Sequence, residues 1–258
     1  YVVWALTMII PGLVVLRINK WKVRFDKKSV LYGSIIGFLG AGGQLLLFQA
    51  LRVGPAYLIF PIISISPVVT ITLSYLFLKE RTGVLGTIGI ILALIALPLF
   101  ELSRGEDGNG FGVLWFVLAL FVLVAWGVQA YFMKLANKHT DGGSIFFYMT
   151  ATGIILIPVA LLMTDFSVDI NWGIDGLWET AAVQVLNSIG ALCLVFAYRY
   201  GKAIVVSPLA NAGAPLMTAI ISLIALGVVP SNLKIAGIAL ALIAAMLIAL
   251  QPEDKETP

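Results

Sequence analysis

Few side chains in this sequence could do chemistry, and most of those are neutral amides and hydroxyls inside long apolar stretches. Gln44, Ser64, Trp126, Gln129, Gln184, Asn187 and Asn211 are the principal candidates, with Gln49, Ser66 and Ser188 beside them. An amide offers two donors and an accepting oxygen, and a hydroxyl offers one donor. Held in apolar surroundings, such groups either bond an uncharged or zwitterionic organic molecule or bond a neighbouring helix. Gln184, Asn187 and Ser188 fall at i, i+3 and i+4, which is one face of a helix. Trp126 and Gln129 are three apart, a spacing that sets an aromatic shelf beside an amide. Ser64 and Asn211 stand 147 residues apart, an interval that recurs along the chain.

Charged groups are missing from the same stretches. No Asp, Glu, Lys or Arg lies deep in a span, where such a residue usually marks an ion or proton path. Glu80, between Lys79 and Arg81 at a helix end, reads as a local orienting group and not as a proton carrier. Cys193 and His139 are the sole residues of their kinds, so a disulfide framework, a metal centre or a Ser-His-Asp triad has nothing to build on. No enzyme activity, cofactor or metal is expected. "GEDGNGFG" follows an apolar helix and not a strand, which excludes a dinucleotide loop. "DINWGIDGLWE" lacks the residue order of a calcium loop, and Trp172 and Trp178 there read as interfacial anchors. Nothing points to nucleic acid. The expected partners are a small-molecule solute and membrane lipid, with oligomeric state open.

The elements that must position these groups follow from composition. Hydrophobic residues make up 60% of the 258 and charged residues 11%, with mean hydropathy +1.04. A soluble domain carries about 25% charged residues, so lipid is the solvent for most of this chain. A bilayer-crossing helix needs about 20 apolar residues. Nine stretches qualify, at about 1–16 (partial), 30–51, 55–78, 84–101, 112–134, 144–163, 180–199, 203–228 and 234–251. Their length rules out an outer-membrane barrel, whose strands alternate over about 10 residues. The small residues Gly33, Gly37, Gly40, Gly42 and Gly43 read as close-packing positions between helices.

Internal repetition organises the spans. "ALRVGPAYLIFP" at 50–61 and "AYRYGKAIVVSP" at 197–208 share Arg52/Arg199, Gly54/Gly201, Ala56/Ala203 and Pro61/Pro208 at an offset of 147. Pro11 and Pro158 keep that offset. Pro67 and Pro215, and "GIILALIA" with "GIALALIA", follow at 148. The second half has five spans and the first has four, its first span matching the second span of the other half. The expected fold is therefore all-α and integral to a membrane, with ten spans in two five-span repeats. The first repeat covers 1–101 with its first helix missing from this chain, and the second covers 112–251. An odd number per repeat inverts one against the other, an arrangement seen in secondary transporters. With "RINKWKVRFDKK" on the cytoplasmic side, alternation puts thirteen of the 16 basic residues there and leaves Arg52, Arg104 and Lys234 outside. That basic loop could also touch anionic lipid heads. Pro61, Pro67, Pro208 and Pro215 each remove a backbone donor, so they are candidate kink or gating positions.

The stretch "FQALRVGPAYLIFPIISISPVVTITLSYLFLKERTGVLGTIGIILALIALPL" resembles the third to fifth helices of an EamA-type member of the drug/metabolite transporter superfamily. The resemblance rests on Ala50, Gly54, Ala56, Ser66–Pro67, the "LKER" at 78–81, Gly86 and Gly89. The second repeat keeps Ala197, Gly201, Ala203 and Pro215 but has "GVVPSNLK" where an acidic-basic pair would follow. The resemblance implies a secondary transporter that moves a small organic metabolite, an amino acid or similar, by alternating access, and the short loops point to a bacterial inner membrane. A drug or lipid-linked-sugar flippase of the same fold, and a non-transporting scaffold or sensor, are the alternative readings.

Overall fold

Backbone amides in an apolar solvent must bond within their own segment, and the chain meets that demand with helices. The computed structural model describes residues 1–54, 56–101, 113–168, 170–211 and 232–249, and among these all regular structure is helical. The helices are α1 (Val2–Thr7), α2 (Ile9–Ile18), α3 (Lys27–Val53), α4 (Ala56–Ser64), α5 (Ser66–Leu73), α6 (Val84–Glu101), α7 (Leu114–Ala136), α8 (Gly142–Ile155), α9 (Ile157–Leu162), α10 (Glu179–Tyr200), α11 (203–211) and α12 (Asn232–Ala249). Wider π-helical turns extend α5 over Ser74–Leu78 and lead into α10 over Ile174–Trp178.

Among the described residues, four stretches are long and apolar enough to cross a membrane: Lys27–Val53, Leu114–Ala136, Gly142–Leu162 and Ile174–Tyr200. The shortest has 21 residues, and at ~1.5 Å per residue it matches a hydrocarbon layer of ~30 Å. Shorter apolar helices run over Val2–Ile18, Ile62–Leu78, Val84–Ala96 and Ile235–Ala244. The eighth of the nine expected stretches, 203–228, is described only as far as 211.

The distribution of side chains suits lipid. Leu13, Val14, Leu120, Phe121, Val183 and Leu186 point outward, while the hydroxyls of Thr7, Ser66, Thr70, Thr152, Ser188 and Ser207 are buried. In water that pattern would be unfavourable, since each exposed aliphatic side chain forgoes about 1.5–3 kcal/mol of burial. In a bilayer the tails accept the aliphatic groups, and the hydroxyls find partners between helices.

Among the described residues, breaks with a proline at the second helical position interrupt two spans. Ile65 (φ −82°, ψ −1°) separates α4 from α5, and Pro67 is the second residue of α5. Leu156 (φ −85°, ψ −2°) separates α8 from α9, and Pro158 is the second residue of α9. A proline in the first turn costs no helical bond, so each begins a new helix beyond a break. α4 continues through position 61, Pro208 is buried within α11, and Pro215 lies outside the described residues.

The chain divides into two compact units, Tyr1–Gln49 with Val128–Gly201, and Ala50–Gly127 with Lys202–Pro258. In the first, α3 is packed tightly along its glycines. The Tyr148 ring fills the place of a side chain on Gly33, Thr152 that on Gly37, and Gln129 that on Gly40. Gly42 differs: a methyl group there would meet nothing within 4 Å, so close packing does not explain it. In the second unit, α6 and α12 meet through Ala93, Ala96 and Ala244, flanked by Leu92, Leu94, Ile238 and Leu240. Ala96 and Ala244 are counterparts at the offset of 148. There too, Val69 and the Ser66 carbonyl crowd Gly127, and Trp115 crowds Gly54.

Candidate functional site

In the first unit, α3 and α7 bring two of the predicted amides to one helix contact. The Gln129 carboxamide lies against Gly40, and Gln44 stands one turn further along α3 on the same face. Both glutamines are half-buried, and neither side chain hydrogen-bonds another described residue. Two amides with unused donors and acceptors, in an apolar helix contact, can hold a polar uncharged or zwitterionic group.

On α10 the predicted face divides. Asn187 donates an Nδ2–H to Gln184 Oε1 at 3.3 Å, with Asn187 exposed and Gln184 half-buried. Ser188 is buried and its hydroxyl is committed, 2.8 Å from the Val185 carbonyl and 3.3 Å from that of Thr7. The second contact has a cause in the sequence. Thr7 is four residues before Pro11, which has no N–H to give it, so the Thr7 carbonyl lacks its helical donor. Ser188 therefore ties α10 to α1 and serves packing.

In the second unit, Ser64 is the half-buried last residue of α4, just before the break at Ile65. Trp126 is half-buried on α7 beside Gly127, whose carbonyl accepts from Thr70 Oγ1 at 3.0 Å. Asn211 donates one Nδ2–H to the Ser207 carbonyl at 2.9 Å, which leaves its oxygen and a second N–H for another partner.

The turns hold polar groups that span-interior reasoning misses. Asp141 caps α8: Ser144 N–H donates to Oδ1 at 2.9 Å and Ser144 Oγ donates to Oδ2 at 2.8 Å. The same carboxylate accepts from Asn19 Nδ2 at 2.9 Å and pairs with Arg24 Nε at 3.6 Å. Arg24 N–H donates to Ser144 Oγ at 3.0 Å, and Tyr148 Oη donates to the Arg24 carbonyl at 2.9 Å, which pins the 22–25 segment along α8. Lys134 Nζ donates to the Gly201 carbonyl at 2.6 Å, a cation at the C-terminal end of α10 where the helix dipole favours one. In the second unit, Glu80 Oε2 accepts from Ile204 N–H at 3.1 Å and so caps α11 from far along the chain. Lys202 Nζ donates to the Arg81 carbonyl at 3.0 Å in return. The orienting role expected of Glu80 has this geometry behind it. Lys79 enters the turn with φ 55°.

These bonds join 17–28 to 139–144, 134 to 201, and 79–81 to 202–204. Within each unit, segments that charge alternation assigns to one side of a membrane are held to one another.

The sequence model of the EamA-like transporter family matches residues 1–100 and 111–250. Protein LicB of Haemophilus influenzae is 25% identical over 168 residues, covering 62% of this chain and 56% of LicB, so the match spans little over half of that relative. An uncharacterized protein of Methanocaldococcus jannaschii is 38% identical over 96 residues, covering 37% of this chain and 70% of its own length. A solved crystal structure of a protein superposes with a TM-score of 0.75 at 19% identity, over 96% of this chain and 86% of that one, a likeness of fold.

Proposed function

The chain belongs to the EamA-like transporter family, multi-pass membrane transporters of the drug/metabolite transporter type and not enzymes, and from that premise we propose that it moves a small organic metabolite, an amino acid or a solute of similar polarity, by alternating access. The observation that carries this is the pair Gln44 and Gln129, half-buried amides with no partner among the described residues. Hydrogen-bonding capacity left unused at a half-buried helix contact in a protein of this kind is what a polar solute requires. Gln184 and Asn187 of the first unit, and Ser64, Trp126 and Asn211 of the second, are proposed as further solute-contacting residues, each within its own unit. Pro61, Pro67, Pro208 and Pro215 are proposed to let the spans bend during the cycle.

We read 1–101 and 112–251 as two repeats of opposite insertion. The clustering of Ala96 with its counterpart Ala244 where α6 meets α12 supports this, because residues near a pseudo-two-fold axis lie close to their own equivalents. The basic turns are proposed to face the cytoplasm of a cell whose inner membrane holds the protein.

The test is uptake, efflux and exchange of a metabolite panel by the full-length protein reconstituted in vesicles. One solute class should cross, and Gln44→Ala and Gln129→Ala should each lower its kcat/KM about fivefold, the worth of one hydrogen bond of about 1 kcal/mol. No transport under any ion gradient or exchange condition would overturn the reading. Transport indifferent to both substitutions would remove these two amides from the site.

A further inference from the structure

The first unit holds a polar cavity of about 580 Å³, lined by Asn19, Trp21, Lys22, Val23, Arg24, Phe25 and Asp141. It is separate from the amides above and lies at the end of α2, where the chain leaves one apolar helix for the next. Its shape comes from an uncommon backbone. Lys20 and Trp21 both take left-handed conformations, φ 55° and 58°. A non-glycine residue pays for that geometry, and two in succession persist only when the surroundings over-determine them. Here Trp21 N–H donates to the Leu16 carbonyl at 2.7 Å, Lys20 N–H to that of Arg17 at 3.1 Å, and Asn19 Nδ2 to that of Lys22 at 2.8 Å. The reversal presents the Trp21 indole at 59% exposure, and Phe25 follows at 67%.

The charges around the cavity are not equivalent. Asp141 accepts from Ser144 and Asn19, so its lone pairs are largely taken. Arg24 directs Nε to Asp141 and Nη1 to the His139 carbonyl at 3.3 Å, and its remaining donors are free to serve a ligand. Lys22 is exposed, and its ammonium group has no hydrogen bond or ion pair with another described residue. Lys22 and Arg24 against Asp141 leave one net positive charge on the wall.

We propose that this cavity binds the phosphodiester of an anionic membrane lipid, a monoanion such as that of phosphatidylglycerol. Lys22 and Arg24 hold the phosphate oxygens, Asn19 borders the headgroup, and Trp21 and Phe25 lie in the interfacial layer where exposed aromatic rings are favoured. The single net charge matches a monoanionic diester better than a free phosphate dianion. The rigid turn distinguishes the proposal from diffuse attraction by the basic loop, because Lys20, Lys27 and Lys28 belong to that loop but do not line the cavity.

The experiment uses the purified full chain in phosphatidylcholine nanodiscs into which phosphatidylglycerol is titrated, with retained lipid read by native mass spectrometry. One phosphatidylglycerol should be held in preference to phosphatidylcholine. Lys22→Gln, an exposed substitution that disturbs no helix, should weaken it about fivefold, as one basic group near a membrane surface does. Arg24→Gln should act alike, while Lys20→Gln and Lys28→Gln should leave affinity unchanged. Equal losses from Lys20→Gln or Lys28→Gln would overturn the site in favour of diffuse charge. No preference over phosphatidylcholine would overturn it outright, and displacement by millimolar inorganic phosphate would overturn the lipid assignment. Transport enters none of these readouts.

Discussion

Asp141 and Glu80 cap helices in two different ways. Asp141 stands immediately before α8 and bonds a residue three positions on, then reaches Asn19 and Arg24. The Glu80 carboxylate bonds no local group among the described hydrogen bonds; it accepts the Ile204 N–H of α11, 124 residues later. The first cap can form as soon as its helix does and then gathers a second segment onto it. The second can form only when two turns distant in sequence have met. A local cap therefore sets where a helix begins, and a remote cap records which turns are neighbours. In a transporter the second kind is the one a conformational cycle can make and break.

The largest break in this comparison should come from Asp141→Ala. It removes the acceptor for Ser144 N–H, Ser144 Oγ and Asn19 Nδ2 and leaves Arg24 without its carboxylate. An N-cap is worth about 1 kcal/mol and charge-assisted bonds add to it, so the variant should lose about 2–3 kcal/mol. Asp141→Asn keeps an acceptor for the cap and should lose about half as much. Thermal unfolding of the two purified variants checks the order. Equal midpoints for wild type and Asp141→Ala would remove the junction from the account of stability.

Glu80→Ala should cost less, about 1 kcal/mol, because one N–H loses one acceptor at a half-buried turn. Glu80 and Lys202 join the same two turns by separate bonds, so the Glu80→Ala/Lys202→Ala double variant should lose less than the two single losses added together. A strictly additive cycle would show that the bonds act independently and that no shared latch exists. If the latch opens during transport, Glu80→Ala should also alter turnover more than solute affinity, a split that kcat and KM resolve.

The same contrast explains what could be read without a structure. Long apolar runs predict helices because lipid leaves the backbone no alternative, and the described helices overlap the expected stretches, with ends that differ by a few residues. "DKKS" at 26–29 and "DGGS" at 141–144 are local start signals of the form Asp-x-x-Ser, legible to a search for caps. Ser188 is harder: helical spacing groups it with Gln184 and Asn187, and only the carbonyl orphaned by Pro11, on another helix, turns it to packing. Gly42 fails for the mirror reason, since a small residue permits a close contact but cannot supply the neighbour. Glu80 looked local because its sequence neighbours are basic, yet its partner is a backbone N–H that no side-chain pattern reports. Local chemistry is written in spacing, whereas contacts between distant turns depend on how helices assemble.

Asp26 offers the mildest and most specific sharpening. It stands before α3 as Asp141 stands before α8, accepting Ser29 Oγ–H at 2.7 Å and Ser29 N–H at 3.2 Å. Those bonds, the hydroxyl first, hold its carboxyl below the ordinary carboxylate range, with a smaller contribution from Arg24. A carboxyl whose folded pKa is depressed favours folding above its unfolded pKa of about 3.9, and that contribution disappears as pH falls through the folded value. Unfolding midpoints should therefore drop on acidification from about pH 5 towards pH 3, and Ser29→Ala should flatten that part of the curve by lowering the neutral-pH midpoint slightly and converging on wild type at the acid end. Because Asp26 is exposed and its cap engages no second segment, the effect should be smaller than at Asp141. A Ser29→Ala profile parallel to wild type over this range would place the acid sensitivity elsewhere, and Asp26 would then mark the start of α3 without stabilising it.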